Sequence, residues 1–315
     1  MRILLVGATG AVGRRVVPLL LSRGHRVTAA ARSRQRLAPL ATLGAAVAEV
    51  DLLDREEVVR AVRGHEAIVN LATRVPGTGV RAFLPRAWRA MDRVRREGSA
   101  ILADAALAAG VERVVQESFA GIYPDGGATW LDESVPPRPA RYNRSALDAE
   151  ASARRVIEAG YIGVVLRFAL LYGGADDGFT RDVLRYARRG WLPLFGAPEG
   201  YVSMVTHDDA ARAVVAALGA PHGVYNVVDD EPLTRRELAN VLGDVLGVAP
   251  PKVPPRRLAS LGGSIGETIA RSLRISNAAL RGATSWRPSC PSGREGWRAA
   301  SAAIDGTPVT QVRSA

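Results

Sequence analysis

The stretch Gly7-Ala8-Thr9-Gly10-Ala11-Val12-Gly13 follows directly on an apolar run, Ile3–Val6, and leads into the amphipathic segment Val12–Arg23. Glycines at these three places permit a tight turn, let the backbone approach a pyrophosphate, and allow a helix to pack closely on a strand. The helix that opens there offers unpaired N–H groups and the positive end of its dipole to the same anion. A glycine triplet alone is a weak signal. Set between a buried strand and an amphipathic helix, it marks a dinucleotide site built from Gly7, Thr9, Gly10, Ala11, Val12 and Gly13.

The pattern continues outward from that turn. Strand-like runs at Arg26–Ala30, Ala46–Asp51, Ala67–Leu71, Arg113–Gln116 and Ile162–Arg167 alternate with helical patterns at Arg34–Leu43, Arg55–Val62, a long one inside Phe83–Ala109, and Tyr142–Ala159. Gly24, Gly44, Gly64, Gly110 and Gly160 stand where left-handed helix stops are wanted. Such alternation predicts an α/β fold, a doubly wound Rossmann parallel sheet with helices on both faces.

The rhythm breaks over Tyr123–Arg141 and again after Tyr172, both times beyond a strand C-terminus, where α/β proteins place their crevice. The second break contains a helix near Phe179–Arg189, a strand over Tyr201–Val205, a helix from about Asp208 and a strand over Val224–Val228. A capping box of Thr234 and Glu237 then opens a helix to about Leu246. We therefore expect a dinucleotide-binding domain over 1–170 plus 201–229, a small C-terminal substrate lobe over 171–200 plus 230–300, and a loose tail over 301–315. Trp130, Phe179, Trp191, Phe195 and Tyr201 fall in segments expected to border the crevice, which suggests a flat apolar substrate.

The chain has 315 residues, 47% of them hydrophobic, enough for a large core with a smaller partner. Its net charge of +11 comes from arginines spread through every segment; Lys252 is the sole lysine. No zinc-finger or aromatic RNA-binding motif accompanies them, so the charge reads as a solvated surface and not as a nucleic-acid footprint. Cys290 stands alone and His25, His65, His207 and His222 are far apart, which excludes an internal disulfide and gives no expectation of a metal. Without a bilayer-spanning run or a signal-peptide core, the expectation is a cytoplasmic protein, with no membrane partner, a small-molecule substrate and a possible homodimer.

An acidic residue at the end of the second strand would hold the ribose hydroxyls of NAD. Here that place reads Ala29-Ala30-Ala31-Arg32-Ser33-Arg34, and the next acid is Glu49. Arg32, assisted by Arg34 or Arg36, suits a 2′-phosphate, so NADP is expected over NAD. Asp51 and Leu52 after the third strand are placed for the adenine. Leu71, Ala72 and Thr73 after the fourth let the cofactor lie close, and Phe168, beside Arg167, borders the nicotinamide end.

Gly7–Gly13, Asp51-Leu52-Leu53-Asp54, Tyr123, Tyr142 with Ser145 and Glu150, Leu166-Arg167, Asp208-Asp209-Ala210-Ala211, Gly223-Val224-Tyr225-Asn226 and Trp286-Arg287-Pro288 together carry a resemblance. The sequence resembles the extended, or atypical, short-chain dehydrogenase/reductase superfamily, most of all its epimerase/dehydratase branch and the relatives of that branch in secondary metabolism. The resemblance implies a Rossmann core with a C-terminal lobe and chemistry by a Ser or Thr, a Tyr and a Lys, the last two spaced Tyr-x-x-x-Lys. Tyr142 matches the tyrosine. The lysine position is Ala146, and counting back from Tyr123 puts Phe119 at the serine position, with Ser118 one place off. Tyr142 and Ser118 are thus the catalytic candidates, with His207 as a group from the lobe. The expected function is NADPH-dependent oxidoreduction of a small ketone or alcohol with altered proton transfer. A redox-neutral cyclase, dehydratase or isomerase, and a non-catalytic NADP-binding regulator, are the alternatives.

Overall fold

A computed structural model describes residues 1–76 and 80–306. In chain order its strands are β1 (Arg2–Val6), β2 (Arg26–Ala31), β3 (Ala46–Glu49), β4 (Ala67–Asn70), β5 (Arg113–Phe119), β6 (Trp130–Leu131), β7 (Ile162–Phe168), β8 (Leu170–Tyr172), β9 (Tyr201–Val202), β10 (Met204–Thr206), β11 (Gly223–Val227), β12 (Leu233–Thr234) and β13 (Arg274–Ile275). Its helices are α1 (Gly13–Ser22), α2 (Arg34–Thr42), α3 (Arg55–Val62), α4 (Arg89–Arg93), α5 (Ser99–Ala108), α6 (Ser145–Glu158), α7 (Gly178–Arg188), α8 (His207–Ala217), α9 (Arg235–Leu246), α10 (Gly263–Ile269), α11 (Ala278–Ala283) and α12 (Gly293–Asp305).

Seven strands form one parallel sheet in the order β11-β7-β5-β4-β1-β2-β3. Sheets of this kind are covered on both faces, so their inner strands are apolar on both sides. All four residues of β4 are accordingly buried. Val16, Val17 and Leu20 of α1, Leu37 of α2 and Val214 of α8 cover one face. Val58 and Val62 of α3, Leu102 and Ala106 of α5, and Val156 of α6 cover the other. Because β1 pairs with β2 on one side and β4 on the other, the strand order reverses there, and a crevice opens outside their C-terminal ends. The glycine turn sits at that switch point.

Three sequence expectations are revised. The predicted strand Tyr201–Val205 divides at Ser203: β9 pairs antiparallel with β12, and β10 parallel with β8. Ser203 Oγ donates to the Leu273 carbonyl at 2.8 Å and accepts from the Ile275 amide at 3.0 Å, which bends the chain between two partners. The long helix expected inside Phe83–Ala109 is broken into 3-10 turns at Val80–Phe83 and Pro85–Trp88, then α4, a π turn at Val94–Gly98, and α5. A π turn inserts an extra residue into a helix. Here it carries Arg95 inward to a buried bidentate pair with Glu117, both contacts at 3.0 Å.

The third revision concerns the tail from residue 301. Helix α12 continues to Asp305 and stops at Gly306 in the left-handed conformation. Its Trp297, fully buried, stacks on Tyr172 with ring centroids 4.7 Å apart. That contact joins α12 to a hydrophobic cluster that includes Val183, Leu184, Leu238 and Leu242. Residues 307–315 lie outside the described residues. Among the described residues no helix is long and apolar enough to cross a membrane.

Candidate cofactor and active site

Gly7 has a φ of +80°, and a Cβ added to it would lie 2.6 Å from the Leu71 carbonyl carbon and 2.7 Å from the Ala72 nitrogen. The ends of β1 and β4 therefore touch through a residue that must be glycine. A Cβ at Gly13 would stand 2.3 Å from the Gly7 oxygen, so the first turn of α1 closes directly on the loop. Val12 caps α1 without a side-chain hydrogen bond. The amides of Ala11, Val12 and Gly13 find no acceptor among the described residues. Unpaired amides over a glycine surface are what a pyrophosphate requires, so the residues present fit a dinucleotide.

At the end of β2, Arg32 follows the strand directly and is exposed, as are Arg34 and Arg36. None of the three forms an ion pair among the described residues. Arg14 stands immediately after the glycine turn; burial, Arg15 and Arg36 together hold its pKa below the ordinary value. Arg14 pairs with Asp176, and Arg15 with Asp208 at 2.9 Å, so the loop after β8 and the start of α8 both lean on the first turn of α1. Sequence reasoning missed Arg14, although its place next to Gly13 was a usable signal. Asp51 Oδ1 accepts from the Leu53 amide at 3.0 Å, while Asp54 caps α3 through the Glu56 and Glu57 amides. Leu52 and Leu71 are buried, Ala72 is half-buried and Thr73 is exposed. Phe168 ends β7 in register with Phe119.

Ser118 is turned away from Tyr142. Its hydroxyl donates to Glu150 Oε1 at 2.6 Å inside a buried polar network. Arg167 donates to both Glu150 oxygens at 2.8 Å and to the Tyr123 hydroxyl at 2.8 Å, and Tyr123 donates to Asn226 Oδ1 at 2.9 Å. These contacts tie β5, α6, β7 and β11 together. Alternation along a strand then sends the next residue, Phe119, to the opposite face. There it joins Tyr142, Ala140, Ile265, Phe83 and Trp88 in an apolar cluster.

Trp88 meets Tyr142 edge-on at 4.8 Å. The Tyr142 phenol is pushed up to about 12, chiefly by burial, against the pull of hydrogen bonds from Thr268 and Asn143 and of the charges of Arg95 and Arg271. One helical turn on, at the family's lysine position, stands the fully buried Ala146. Lys252 instead bridges to Trp191 in the lobe. His207 is also buried; its Nδ1 hydrogen-bonds the Gly173 carbonyl at 2.7 Å, and burial pulls its pKa down. That geometry makes it a tether between α8 and the loop after β8.

The aromatic residues expected at the crevice are dispersed. Trp130 and Tyr201 flank Arg274 at 4.3 and 4.8 Å, Phe179 packs on the lobe core, Phe195 is half-buried and Trp191 is exposed. Phe83 and Trp88 take that place, and a continuous-helix reading of their segment hid them. The arrangement is an apolar, aromatic cluster beyond the C-terminal end of β5, its tyrosine within reach of the charges of Arg95 and Arg271 and without a lysine one helical turn on.

Comparison with known proteins agrees with this geometry. The family model described as NAD(P)H-binding matches residues 7–181. A 3-diazoavenalumate denitrifying reductase of a Streptomyces species is 36% identical over 311 residues, covering 94% of this chain and 99% of the relative. A 2-alkyl-3-oxoalkanoate reductase of Shewanella oneidensis is 28% identical over 85% of this chain and 72% of its own length. Among solved structures, the UDP-glucose 4-epimerase of Thermus thermophilus in complex with NAD superposes with a TM-score of 0.75 at 26% identity, covering 97% of this chain and 99% of that one. The chain belongs to the NAD(P)H-binding, extended short-chain dehydrogenase/reductase family, in its epimerase/dehydratase-like branch.

Proposed function

We propose that this protein is an NADPH-dependent reductase that directs a hydride to a small aromatic acceptor whose reduction draws no proton from a tyrosine–lysine relay. The observation that carries this reading is the content of the relay positions. Phe119 replaces the serine, Ala146 replaces the lysine, and Tyr142 is buried with its phenol pushed up to about 12. A ketone needs a proton as its oxygen becomes an alcohol. An aryl diazonium needs none: hydride forms the new C–H bond, the C–N bonding pair leaves with dinitrogen, and NADPH becomes NADP+. The Streptomyces relative's name, a denitrifying reductase of a diazo compound, supports this acceptor class.

NADPH supplies the hydride when bound; the protein's part is to hold and orient. The glycine turn and the α1 amides take the pyrophosphate, Arg32 with Arg34 or Arg36 takes the 2′-phosphate, and Phe83, Trp88, Phe119 and Tyr142 enclose the ring of the acceptor. The test is single-turnover reduction of 4-carboxybenzenediazonium by NADPH deuterated at the transferring position. Enzyme-dependent dinitrogen release with deuterium in the arene is expected, and no acceleration over the protein-free reaction refutes the reading. A second reading, ketone reduction with Tyr142 as a neutral acid, is favoured by the retention of that tyrosine and by the name of the Shewanella relative. Turnover of a β-keto ester but not of the diazonium selects it.

A further inference from the structure

Arg271 is a half-buried guanidinium whose charge reaches the Tyr142 cluster and that the reductase reading leaves without a task. Its Nη1 donates to the Gly121 carbonyl at 3.3 Å and to the Tyr123 carbonyl at 2.7 Å, in the loop that leaves β5. Its Nε and Nη2 donate to nothing among the described residues, and it forms no ion pair there. Burial without a paired carboxylate lowers its pKa, and its charge reaches the Tyr142 phenol. Two acids, Asp125 and Glu267, act on it by charge without pairing with it, and Asp125 is already engaged: Arg256 pairs with it at 2.9 Å, and the Ser272 amide donates to it at 3.1 Å.

The segment that carries Arg271 is held from behind. Arg235, almost wholly buried, donates through Nη2 to the carbonyls of Ile269 at 2.6 Å and Arg271 at 2.8 Å. Ser272 accepts from the Tyr201 amide at 2.9 Å and also donates to the Gly127 carbonyl. A side chain so fixed loses little freedom on binding, which is how a recognition group is preorganised. With Nη1 committed to the backbone, the edge left over is the Nε–Nη2 side of the guanidinium. That edge presents two parallel N–H donors, the fork that matches a planar carboxylate.

We infer that Arg271 receives a carboxylate of the substrate through its Nε–Nη2 edge while the substrate's ring lies against the partly buried Phe83, Trp88 and Phe119 of the Tyr142 cluster. The substrate class is thus an aromatic acid. The inference rests on the proposed reading of this cluster as the acceptor site, and it is tested by binding alone, so that a failure of hydride transfer and a failure of carboxylate recognition give different results.

The NADP+-saturated protein is titrated by calorimetry with trans-cinnamate and with cinnamamide, a neutral probe of the same shape. Cinnamate is expected to bind about ten- to a hundredfold more tightly. Arg271→Gln should reduce that ratio to about twofold while leaving cinnamamide unchanged, and Arg271→Lys, which keeps the charge but not the fork, should retain part of it. If Arg271→Gln unfolds because the Gly121 and Tyr123 carbonyls lose their donor, the wild-type ratio and the lysine variant still decide. Equal binding of the two probes, binding of neither, or an undiminished ratio in a folded Arg271→Gln protein overturns the inference.

Discussion

Replacing Tyr142 by phenylalanine separates the two readings of the active site. The phenyl ring keeps the edge contact with Trp88, seen at 4.8 Å, so the packing of the cluster survives. Only the hydroxyl is lost. With its phenol pushed up to about 12, the side chain is strongly disfavoured as a tyrosinate relative to a free tyrosine near 10. At neutral pH only on the order of one molecule in a hundred thousand carries the anion, which rules it out as a base. As a neutral acid it can serve a ketone, where a positioned donor contributes roughly a hundred- to ten-thousandfold.

Single-turnover rates for wild type and Tyr142→Phe are therefore measured on two acceptors, 4-carboxybenzenediazonium and a β-keto ester. On the diazonium the variant should stay within about twofold of wild type; on the keto ester any turnover should fall by about a hundredfold or more. Because the phenol titrates far above neutrality, the wild-type rate should show no limb belonging to Tyr142 between about pH 6 and pH 8. A loss of about tenfold or more on the diazonium would refute the claim that this acceptor needs no proton from the protein. A neutral-pH limb that disappears in the variant would refute the placement of the phenol.

Three further outcomes follow from the geometry. Arg32→Ala should weaken NADP by roughly ten- to a hundredfold and leave NAD unchanged, read by calorimetry with each cofactor; equal affinities in wild type sink the 2′-phosphate assignment. Gly10→Ala should fold and lose dinucleotide binding, since its Cβ would lie a tight 3.2 Å from the Gly7 oxygen, a contact relieved by a small shift of the loop, and would face the pyrophosphate, whereas Gly13→Ala, at 2.3 Å, should also lower the unfolding midpoint. Normal cofactor affinity in the Gly10 variant would show that the phosphate binds elsewhere. Glu150→Ala leaves the buried Arg167 guanidinium unpaired and should cost about 3–5 kcal/mol in denaturant unfolding. A loss below about 1 kcal/mol would mean that Tyr123 and solvent satisfy the charge between them.

The amino-acid sequence by itself determined the elements whose cause is local. Periodicity placed the strands of the parallel sheet because each is buried on both faces, and glycine stops placed the helix ends because only a residue without a Cβ turns there cheaply. The glycine turn after β1 was legible for the same reason: its chemistry lies in the backbone over a few consecutive residues. The absence of a lysine at position 146 is likewise a fact of sequence, and with one lysine in the chain it needs no structure to interpret.

What only the tertiary structure decided depends on residues brought together from distant segments. Ser118 and Phe119 are adjacent in sequence, and only the packing of Glu150 and Arg167 shows which of them joins the Tyr142 cluster. Phe83 and Trp88 were concealed because a π turn and two 3-10 turns, set by the buried Arg95–Glu117 pair, leave no signature in hydrophobic period. Arg271 looked like one arginine among many. Its committed Nη1 and its uncommitted edge exist only because the loop after β5 and the segment after α10 meet in space, an encounter that folding enforces and local sequence does not encode.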